Sequence, residues 1–267
     1  KGVCVDPGII GVEHPDENFS IYVADEGNNR IVKLNYNSLN KVITLAGFIG
    51  EGQLNGPTDV DFCTWDGPET SFIVVADKGN NRIVEYATDG TFLRSFGTQG
   101  SSTGEFNSPV SVAACGRKSY FGNWRASIYV ADQGNSRIVR LTQDVSNNQP
   151  PVWKKSTAIY GATLKTVDTD VFDGVYVSDE TNSKVRVFDS YLDRELINYG
   201  SFGTGAGGFY YLNDIFVYEG EMATTERYGP NSGPQFFWLD AEIQGAVASP
   251  NPIKRNFEWS YINIDLT

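Results

Sequence analysis

The sequence is poor in the residues that most enzymes use for chemistry. It has one histidine, His14, one methionine and three cysteines among 267 residues. A zinc site built from several histidines is therefore excluded, and a serine or cysteine nucleophile would have His14 as its only histidine base. We interpret His14, in a polar stretch before the first repeated segment, as a solvated loop residue. The odd number of cysteines leaves at least one thiol without an intrachain partner.

Two further shortages limit the partners that the chain can have. Lysine and arginine total 21 against 33 carboxylates, which gives a net charge of −12. Because an acidic surface repels phosphate, we expect no nucleic-acid partner. No apolar run approaches the roughly 20 residues that cross a bilayer, so we expect no membrane span.

The most informative feature is a segment that occurs four times. Its copies are IYVADEGNNRIV (21–32), IVVADKGNNRIV (73–84), IYVADQGNSRIV (128–139) and VYVSDETNSKVR (175–186). The β-branched residues before each aspartate predict a strand, and glycine and asparagine tolerate the left-handed backbone of a tight turn. Each copy thus predicts a hairpin, and successive aspartates are 52, 55 and 47 residues apart. Small sheets repeated at this spacing are typical of propellers or arrays.

Each predicted hairpin has an acidic residue five positions before a basic one. The pairs are Asp25/Arg30, Asp77/Arg82, Asp132/Arg137 and Asp179/Lys184. Such charges could form a ring that binds a ligand. Because they recur at the turn of every repeat, we interpret them as turn caps and structural ion pairs.

Glycine-rich segments, such as 50–57 and 100–109, lead from one repeat to the next. A short strand is predicted after each of them. One aligned position of these strands holds Val3, Val60, Val112, Val167 and Ile215, and the position two residues further on is mostly apolar. This period of two, kept in five units, predicts the inner strands of five small sheets.

The hairpins and linkers together resemble the NHL-repeat β-propeller family. The resemblance depends on the VAD-x-GN-[NS]-R hairpins at 25–30, 77–82 and 132–137 and on the FG-x-x-G…F-N-x-P linker at 96–109. It covers most of residues 1–218. The fourth copy departs from the pattern, with Thr181 in place of the glycine and Lys184 in place of the arginine. The resemblance implies an all-β propeller, and members of the family are often six-bladed.

We therefore expect one propeller domain over residues 1–267, with five recognisable blades and a partial sixth. The expected blades are 1–49, 50–100, 101–158, 159–200, 201–247 and the remnant 248–267. In the fifth blade we expect strands at 222–226 and 235–239. The remnant is too short for four strands, so either the ring closes imperfectly or another chain or segment completes it.

Several aspartates fall on the predicted inner strands, close to the expected axis. Calcium-dependent propeller hydrolases hold an ion in this channel with oxygen ligands, which suit Ca²⁺. We name Asp61 and Asp168 as candidate calcium ligands. Their register also holds Cys4, Ala113 and Phe216, so solvated channel carboxylates or hydrogen bonds to neighbouring strands explain the pattern equally well.

Two predicted loops, 64–71 and 116–127, carry Trp65 and Trp124. Loops carry recognition more often than strands do, so these tryptophans are candidates for an interaction surface. The sequence Asn18-Phe19-Ser20 is a glycosylation sequon, with Asn18 as the acceptor. Together with the acidic, Asn/Gly/Ser/Tyr-rich composition, the sequon favours an extracellular location.

From these features we predict a non-enzymatic extracellular module for protein–protein contacts or assembly. Its partner would be another protein or a second copy of the chain, and it would need no cofactor. The alternative is a calcium-dependent propeller hydrolase or lyase with an axial carboxylate site.

Overall fold

The computed structural model describes residues 2–6, 18–63, 71–118, 124–144, 152–170, 174–203, 208–218, 221–226 and 235–238. His14, Trp65 and residues 239–267, which include the expected sixth-blade remnant, lie outside these ranges. Within them the chain forms strands and three short 3-10 turns. The all-β prediction is confirmed for this part of the chain.

The first two sheets each contain four consecutive antiparallel strands. The strands of blade 1 are β1 (Val3–Val5), β2 (Asn18–Asp25), β3 (Arg30–Asn37) and β4 (Val42–Ile49). The strands of blade 2 are β5 (Pro57–Cys63), β6 (Phe72–Asp77), β7 (Arg82–Ala87) and β8 (Phe92–Phe96).

Short parallel pairs in two linkers separate the later sheets. They are β9 (Thr98–Gln99) with β10 (Glu105–Phe106), and further on β19 (Ser201–Phe202) with β20 (Gly208–Phe209). Blade 3 consists of β11 (Pro109–Lys118), β12 (Trp124–Asp132), β13 (Arg137–Asp144) and β14 (Val152–Ala158). Blade 4 consists of β15 (Leu164–Thr169), β16 (Val175–Asp179), β17 (Lys184–Phe188) and β18 (Glu195–Tyr199). The described part of blade 5 is β21 (Leu212–Tyr218), β22 (Glu221–Glu226) and β23 (Gln235–Trp238).

The turn between the second and third strands of blades 1 to 3 is a single 3-10 turn. The turns are Glu26–Asn28, Lys78–Asn80 and Gln133–Asn135. The residue after each turn is left-handed: Asn29 at φ 56°, Asn81 at φ 52° and Ser136 at φ 48°. Asparagine tolerates this conformation better than most side chains, which explains the repeated asparagine of the motif.

Steric crowding requires a glycine at position 97 of the linker. Gly97 has φ +104°, and a Cβ atom there would lie 2.5 Å from the ring of Phe106 in the same linker. Gly200 is equally constrained against Phe209 in the linker that follows blade 4. In both linkers a glycine therefore stands nine residues before a buried phenylalanine and leaves room for its ring.

Blades pack face to face through four apolar clusters. One cluster joins blades 1 and 2, and the others join blades 2 and 3, 3 and 4, and 4 and 5. Among the described residues, no apolar cluster joins blade 5 to blade 1. The five inner strands border a common cavity of ≈ 490 Å³, which marks the axis of the molecule.

Candidate functional site

The hairpin aspartates hold ion pairs and also bind the chain that leads into their own blade. Asp77 accepts Arg82 Nε at 2.7 Å and the backbone N–H of the linker residue Asn55, also at 2.7 Å. Asp132 likewise accepts hydrogen bonds from Arg137 Nε at 2.8 Å and from the backbone N–H of the linker residue Asn107 at 2.7 Å. Both carboxylates are completely buried. Each pair therefore ties a hairpin to the linker of the same blade.

Blades 1 and 4 vary the arrangement. In blade 1, Arg30 Nε lies 3.0 Å from Asp25. In blade 4 the expected ion pair between Asp179 and Lys184 is replaced, since Lys184 Nζ donates to Asn198 at 3.1 Å and Arg186 lies 3.7 Å from the aspartate. The Arg186 guanidinium also donates to Glu195, so in this blade an arginine two residues further along is the cation beside the aspartate.

The left-handed hairpin residues connect successive blades. Asn29 Oδ1 accepts the N–H of Gly56 at 2.6 Å, and Asn81 Oδ1 accepts the N–H of Ser108 at 2.8 Å. In each case the acceptor lies in one blade and the donor in the linker that enters the next. The hairpin motif is therefore a joint between blades at one end of the molecule.

At this end the axis opens into a second cavity of ≈ 480 Å³. The variable residue after the motif aspartate lines it in three blades, as Glu26, Lys78 and Gln133. Lys165 also lines it and forms an ion pair of 3.2 Å with Glu180, which holds the same motif position in blade 4. The motif thus places its variable side chain at the mouth of the axis in three of the blades.

Below the mouth, two rings of inner-strand side chains surround the axial cavity. The first ring is formed by the residues Gly2, Asp59, Ser111, Thr166 and Asp214. Cys4, Asp61, Asp168 and Phe216 of the second ring line the same cavity. The period-two register expected from the sequence thus corresponds to two layers around the axis.

The ring side chains accept hydrogen bonds from the inner strand of the next blade. Asp59 Oδ2 accepts the N–H of Val112 at 3.0 Å, and Asp61 Oδ2 accepts the N–H of Ala114 at 2.6 Å. The same contacts recur further round, from Val167 to Ser111, from Ile215 to Thr166 and from Val217 to Asp168. Inner strands are sheet edges, and a buried N–H without an acceptor is costly. The ring side chains therefore satisfy these edges and join neighbouring blades.

Burial raises the pKa of the axial carboxyl groups. The pKa of Asp59 rises to about 7 and that of Asp61 to about 6, in both cases mainly through desolvation, which their hydrogen bonds partly offset. Burial, with the neighbouring Asp61 charge, raises the pKa of Asp168 well above its usual value, and burial also raises that of Asp214. Asp59 and Asp61 therefore lose their protons at a higher pH than exposed aspartates do.

Other groups near the axis offer less chemistry. Burial raises the pKa of the Cys4 and Cys63 thiols well above their usual range, which disfavours the reactive thiolate. All three cysteines are free. The described residues contain no group of three or more His, Cys, Asp or Glu side chains placed to hold a metal ion. Calcium ligation by Asp61 and Asp168 stays a prediction, and both side chains have the hydrogen bonds described above.

The predicted recognition and modification residues fall near the limits of the described chain. Trp65 lies outside it, and Trp124 is the first residue of β12, where its backbone pairs with Lys118. The expected loop 116–127 is therefore mostly strand, because β11 and β12 continue their pairing beyond the core with no proline to stop it. Asn18 is the first residue of β2, although the sequence suggests that the sequon lies in a loop. Its glycosylation stays a prediction.

A second candidate site is the side of blade 1 that faces away from blade 2. Cross-strand partners share a sheet face, and the pairing gives two rows on this side. The rows, which we call the blade-1 face, are Val3–Val23–Val32–Phe48 and Val5–Ile21–Leu34–Leu45. All eight side chains are apolar. The equivalent face of blade 2 is buried against blade 1. On the blade-1 face, Val32 (0%) and Leu34 (4%) of the middle strand β3 are buried, and the exposed side chains are Val3 and Val5 on β1 and Leu45 (59%) and Phe48 (41%) on β4.

Comparisons with known proteins show the fold. No family model matches the sequence, and no curated protein matches it. A Bacteroides uniformis protein provisionally named a 6-phosphogluconolactonase is similar in structure, with a TM-score of 0.58, 17% identity, and coverage of 90% of this chain and 68% of that one. A chain of a nidogen/laminin complex has a TM-score of 0.54 at 12% identity, with coverage of 89% and 75%.

An inactive variant of Staphylococcus aureus virginiamycin B lyase with quinupristin is also similar. Its TM-score is 0.50 at 12% identity, with coverage of 86% of this chain and 69% of that one. The lyase and the nidogen/laminin chain are β-propellers, and the chain described here is a β-propeller as well. At such low identity the likeness extends to the fold and not to activity. In the described residues no helix is long and apolar enough to cross a membrane.

Proposed function

We propose that this chain is an NHL-type propeller that acts outside the cell as a non-enzymatic interaction and assembly module. The observation that supports this most is the outer strand of the blade-1 face, β4, where the apolar side chains Leu45 and Phe48 are exposed. Exposed apolar patches on folded proteins commonly mark sites of association. The axial carboxylates, by contrast, join the blades, which leaves them less available for catalysis.

The partner that we infer is a second copy of the chain, bound through the outer edge of blade 1. Strand β4 reads VITLAGFI and has no charged residue. Natural edge strands are usually protected by charges or proline, because an open apolar edge recruits another strand. Two such edges can pair antiparallel about a two-fold axis, so the contact is self-complementary.

The similarity to a chain of a nidogen/laminin complex supports an interaction role, since that structure is a protein complex. The lyase and the provisionally named lactonase are named as enzymes, and they support the alternative that this chain is an enzyme. A propeller hosts either function, so the distinction has to come from the site.

Sedimentation velocity over a range of concentrations tests the association. We expect the wild-type chain to dimerise and Leu45→Lys to weaken the dimer at least tenfold, because a buried charge without a partner is costly. The matched control is Leu93→Lys on β8 of blade 2, where the leucine is 42% exposed. A wild-type monomer at every concentration, or equal weakening by both variants, would refute self-association through β4.

The calcium alternative has its own measurement. Thermal unfolding with Ca²⁺, with Mg²⁺ and with EDTA would show stabilisation by Ca²⁺ alone that is lost in Asp168→Asn. A shift of that kind would replace the interaction proposal with an axial ion site. The extracellular assignment is tested separately, by the mobility change on enzymatic deglycosylation of protein secreted from eukaryotic cells.

A further inference from the structure

The linker that enters blade 2 contains the only asparagine of the sequence that a glycine follows, Asn55-Gly56. Because glycine has no side chain, its backbone nitrogen is open to attack the side-chain amide carbon of the preceding asparagine. The new N–Cγ bond closes a succinimide ring. The amide nitrogen of the asparagine leaves as ammonia, taking up the proton that the glycine nitrogen loses. Water then opens the ring to aspartate or to isoaspartate, whose main chain runs through the former side chain.

The linker that enters blade 3 has the same structure with a different residue in place of the glycine. Asn55 and Asn107 both donate their N–H to the motif aspartate of their own blade. The next residue, Gly56 or Ser108, donates to the left-handed asparagine of the preceding hairpin. Gly56 has φ 59° and Ser108 has φ 54°. The two linkers therefore differ in reactivity rather than in backbone geometry.

The space around Gly56 would accept a side chain. Of the atoms beyond its chain neighbours, only Glu26 Cγ, at 3.9 Å, lies within 4 Å of a Cβ placed on this glycine. Ser108 shows that the repeat forms the same contacts with a serine here. Neither the backbone nor the packing thus requires a glycine at position 56, in contrast to position 97.

Hydrogen bonds hold the reacting segment from both sides. The Gly56 N–H donates to Asn29 Oδ1 at 2.6 Å, and the Asn55 N–H donates to Asp77 at 2.7 Å. The Asn55 carbonyl accepts the N–H of Gly79 at 2.8 Å. Asn55 itself is exposed, so water reaches its amide. Since the glycine nitrogen must lose its proton to react, the contact with Asn29 has to open first, and openings of this kind are local.

We propose that Asn55 is a site of spontaneous deamidation and that the Asn29 side chain controls its rate. While Asn29 holds the Gly56 N–H, the asparagine persists, and when the joint between blades 1 and 2 opens, the succinimide forms. The product adds a negative charge beside the buried Asp77, and isoaspartate lengthens the main chain by one methylene between fixed contacts. Deamidation therefore weakens the joint whose opening allowed it. The proposal concerns the linker and does not depend on association through β4.

Mass spectrometry of proteolytic peptides after incubation at mildly alkaline pH tests the control by Asn29. Asn29→Gly removes the acceptor and keeps a residue that adopts the left-handed backbone, so deamidation of Asn55 should be at least about threefold faster than in the wild type. Asn29→Asp keeps an acceptor oxygen and should not exceed the wild-type rate. Asn81→Gly, which frees Ser108 in the equivalent joint, is the matched control and should leave the rate at Asn55 unchanged. Equal rates at Asn55 in the wild type and Asn29→Gly, or equal acceleration by Asn29→Gly and Asn81→Gly, would overturn the proposal.

A reciprocal exchange tests the dependence on glycine. Gly56→Ser gives this linker the sequence of the next one, and it should lower the rate at Asn55 to the rate at Asn107 in the same chain. Ser108→Gly should raise the rate at Asn107, and combining it with Asn81→Gly should raise that rate further. Amide hydrogen exchange at Gly56 reports the opening itself and should be faster in Asn29→Gly than in Asn29→Asp. Unchanged deamidation of Asn55 in Gly56→Ser would contradict the assignment of the reaction to this nitrogen.

Discussion

Replacing Asp59 by asparagine should remove part of an unusual pH dependence of stability. Burial raises the pKa of Asp59 to about 7 from its ordinary 3.8. A carboxyl group whose pKa is raised on folding binds a proton more tightly in the folded chain than in the unfolded one. Its contribution to stability is therefore complete below about pH 4 and is lost as pH rises towards 7.

The size of the effect follows from the same shift. Each pH unit between the two pKa values corresponds to ~1.4 kcal/mol of unfolding free energy. Between pH 5 and pH 7 the wild type should thus lose up to ~3 kcal/mol through Asp59 alone. The axial cavity of ≈ 490 Å³ is large enough to admit water, which would screen the charge, so we expect ~1–3 kcal/mol. The asparagine side chain cannot ionise, and the variant should lose correspondingly less.

Urea unfolding of the wild type and of Asp59→Asn at several pH values from 5 to 8 measures this difference. Asp193→Asn is the control, because it removes one negative charge from a side chain that is 64% exposed. The control allows for the general repulsion in a chain of net charge −12. If Asp59→Asn loses as much stability as the wild type over this range, the raised pKa is refuted. The Asp61→Asn variant should differ from the wild type only up to about pH 6.

Two further predictions concern the hairpins and the linkers. Arg137→Leu leaves the completely buried Asp132 without its cation, so it should lower the free energy of unfolding in urea by ~3–5 kcal/mol. Lys184→Leu is the matched control in blade 4, where Arg186 is the cation beside the aspartate, and it should cost less than ~1 kcal/mol. Equal losses would contradict the role given to the buried pair. Gly97→Ala places a Cβ against the buried ring of Phe106 at a positive φ, so it should lower the free energy of unfolding by ~2 kcal/mol or more. Gly27→Ala is the control, because no atom lies within 4 Å of the added Cβ, and thermal unfolding should show a change within ~0.5 kcal/mol. Similar melting temperatures for both would show that the linker glycine is not constrained.

The sequence was sufficient to predict the elements whose causes are local. The β-branched runs, the turn asparagines and the period-two inner strands each identify one strand or turn, and β22 lies close to the strand expected at 222–226. The predictions failed where the contact of a side chain depends on a residue on another strand. Lys184 matches the arginine of the other repeats by position, but its amine lies near Asn198 on another strand.

The site was less predictable for the same reason. Asp61 could be placed near an axis, yet its acceptor role towards Ala114 is a contact across 53 residues. The variable residue of the hairpin motif, such as Lys78, could have been noticed by its variation between otherwise constant copies. Only the folded structure shows that Glu26, Lys78 and Gln133 line the same cavity.

The position of the variable residues also bears on where a ligand of this propeller would bind. Removing the hydrogen-bond acceptors of the rings would expose inner-strand edges, so the ring positions are constrained by folding. The mouth residues Glu26, Lys78 and Gln133 are the first residues of the three 3-10 turns, and they differ between blades that form the same hairpin. Recognition can therefore diversify at the mouth while the rings below keep the blades together. A small ligand of this chain is accordingly expected to contact the mouth before it contacts the axial aspartates.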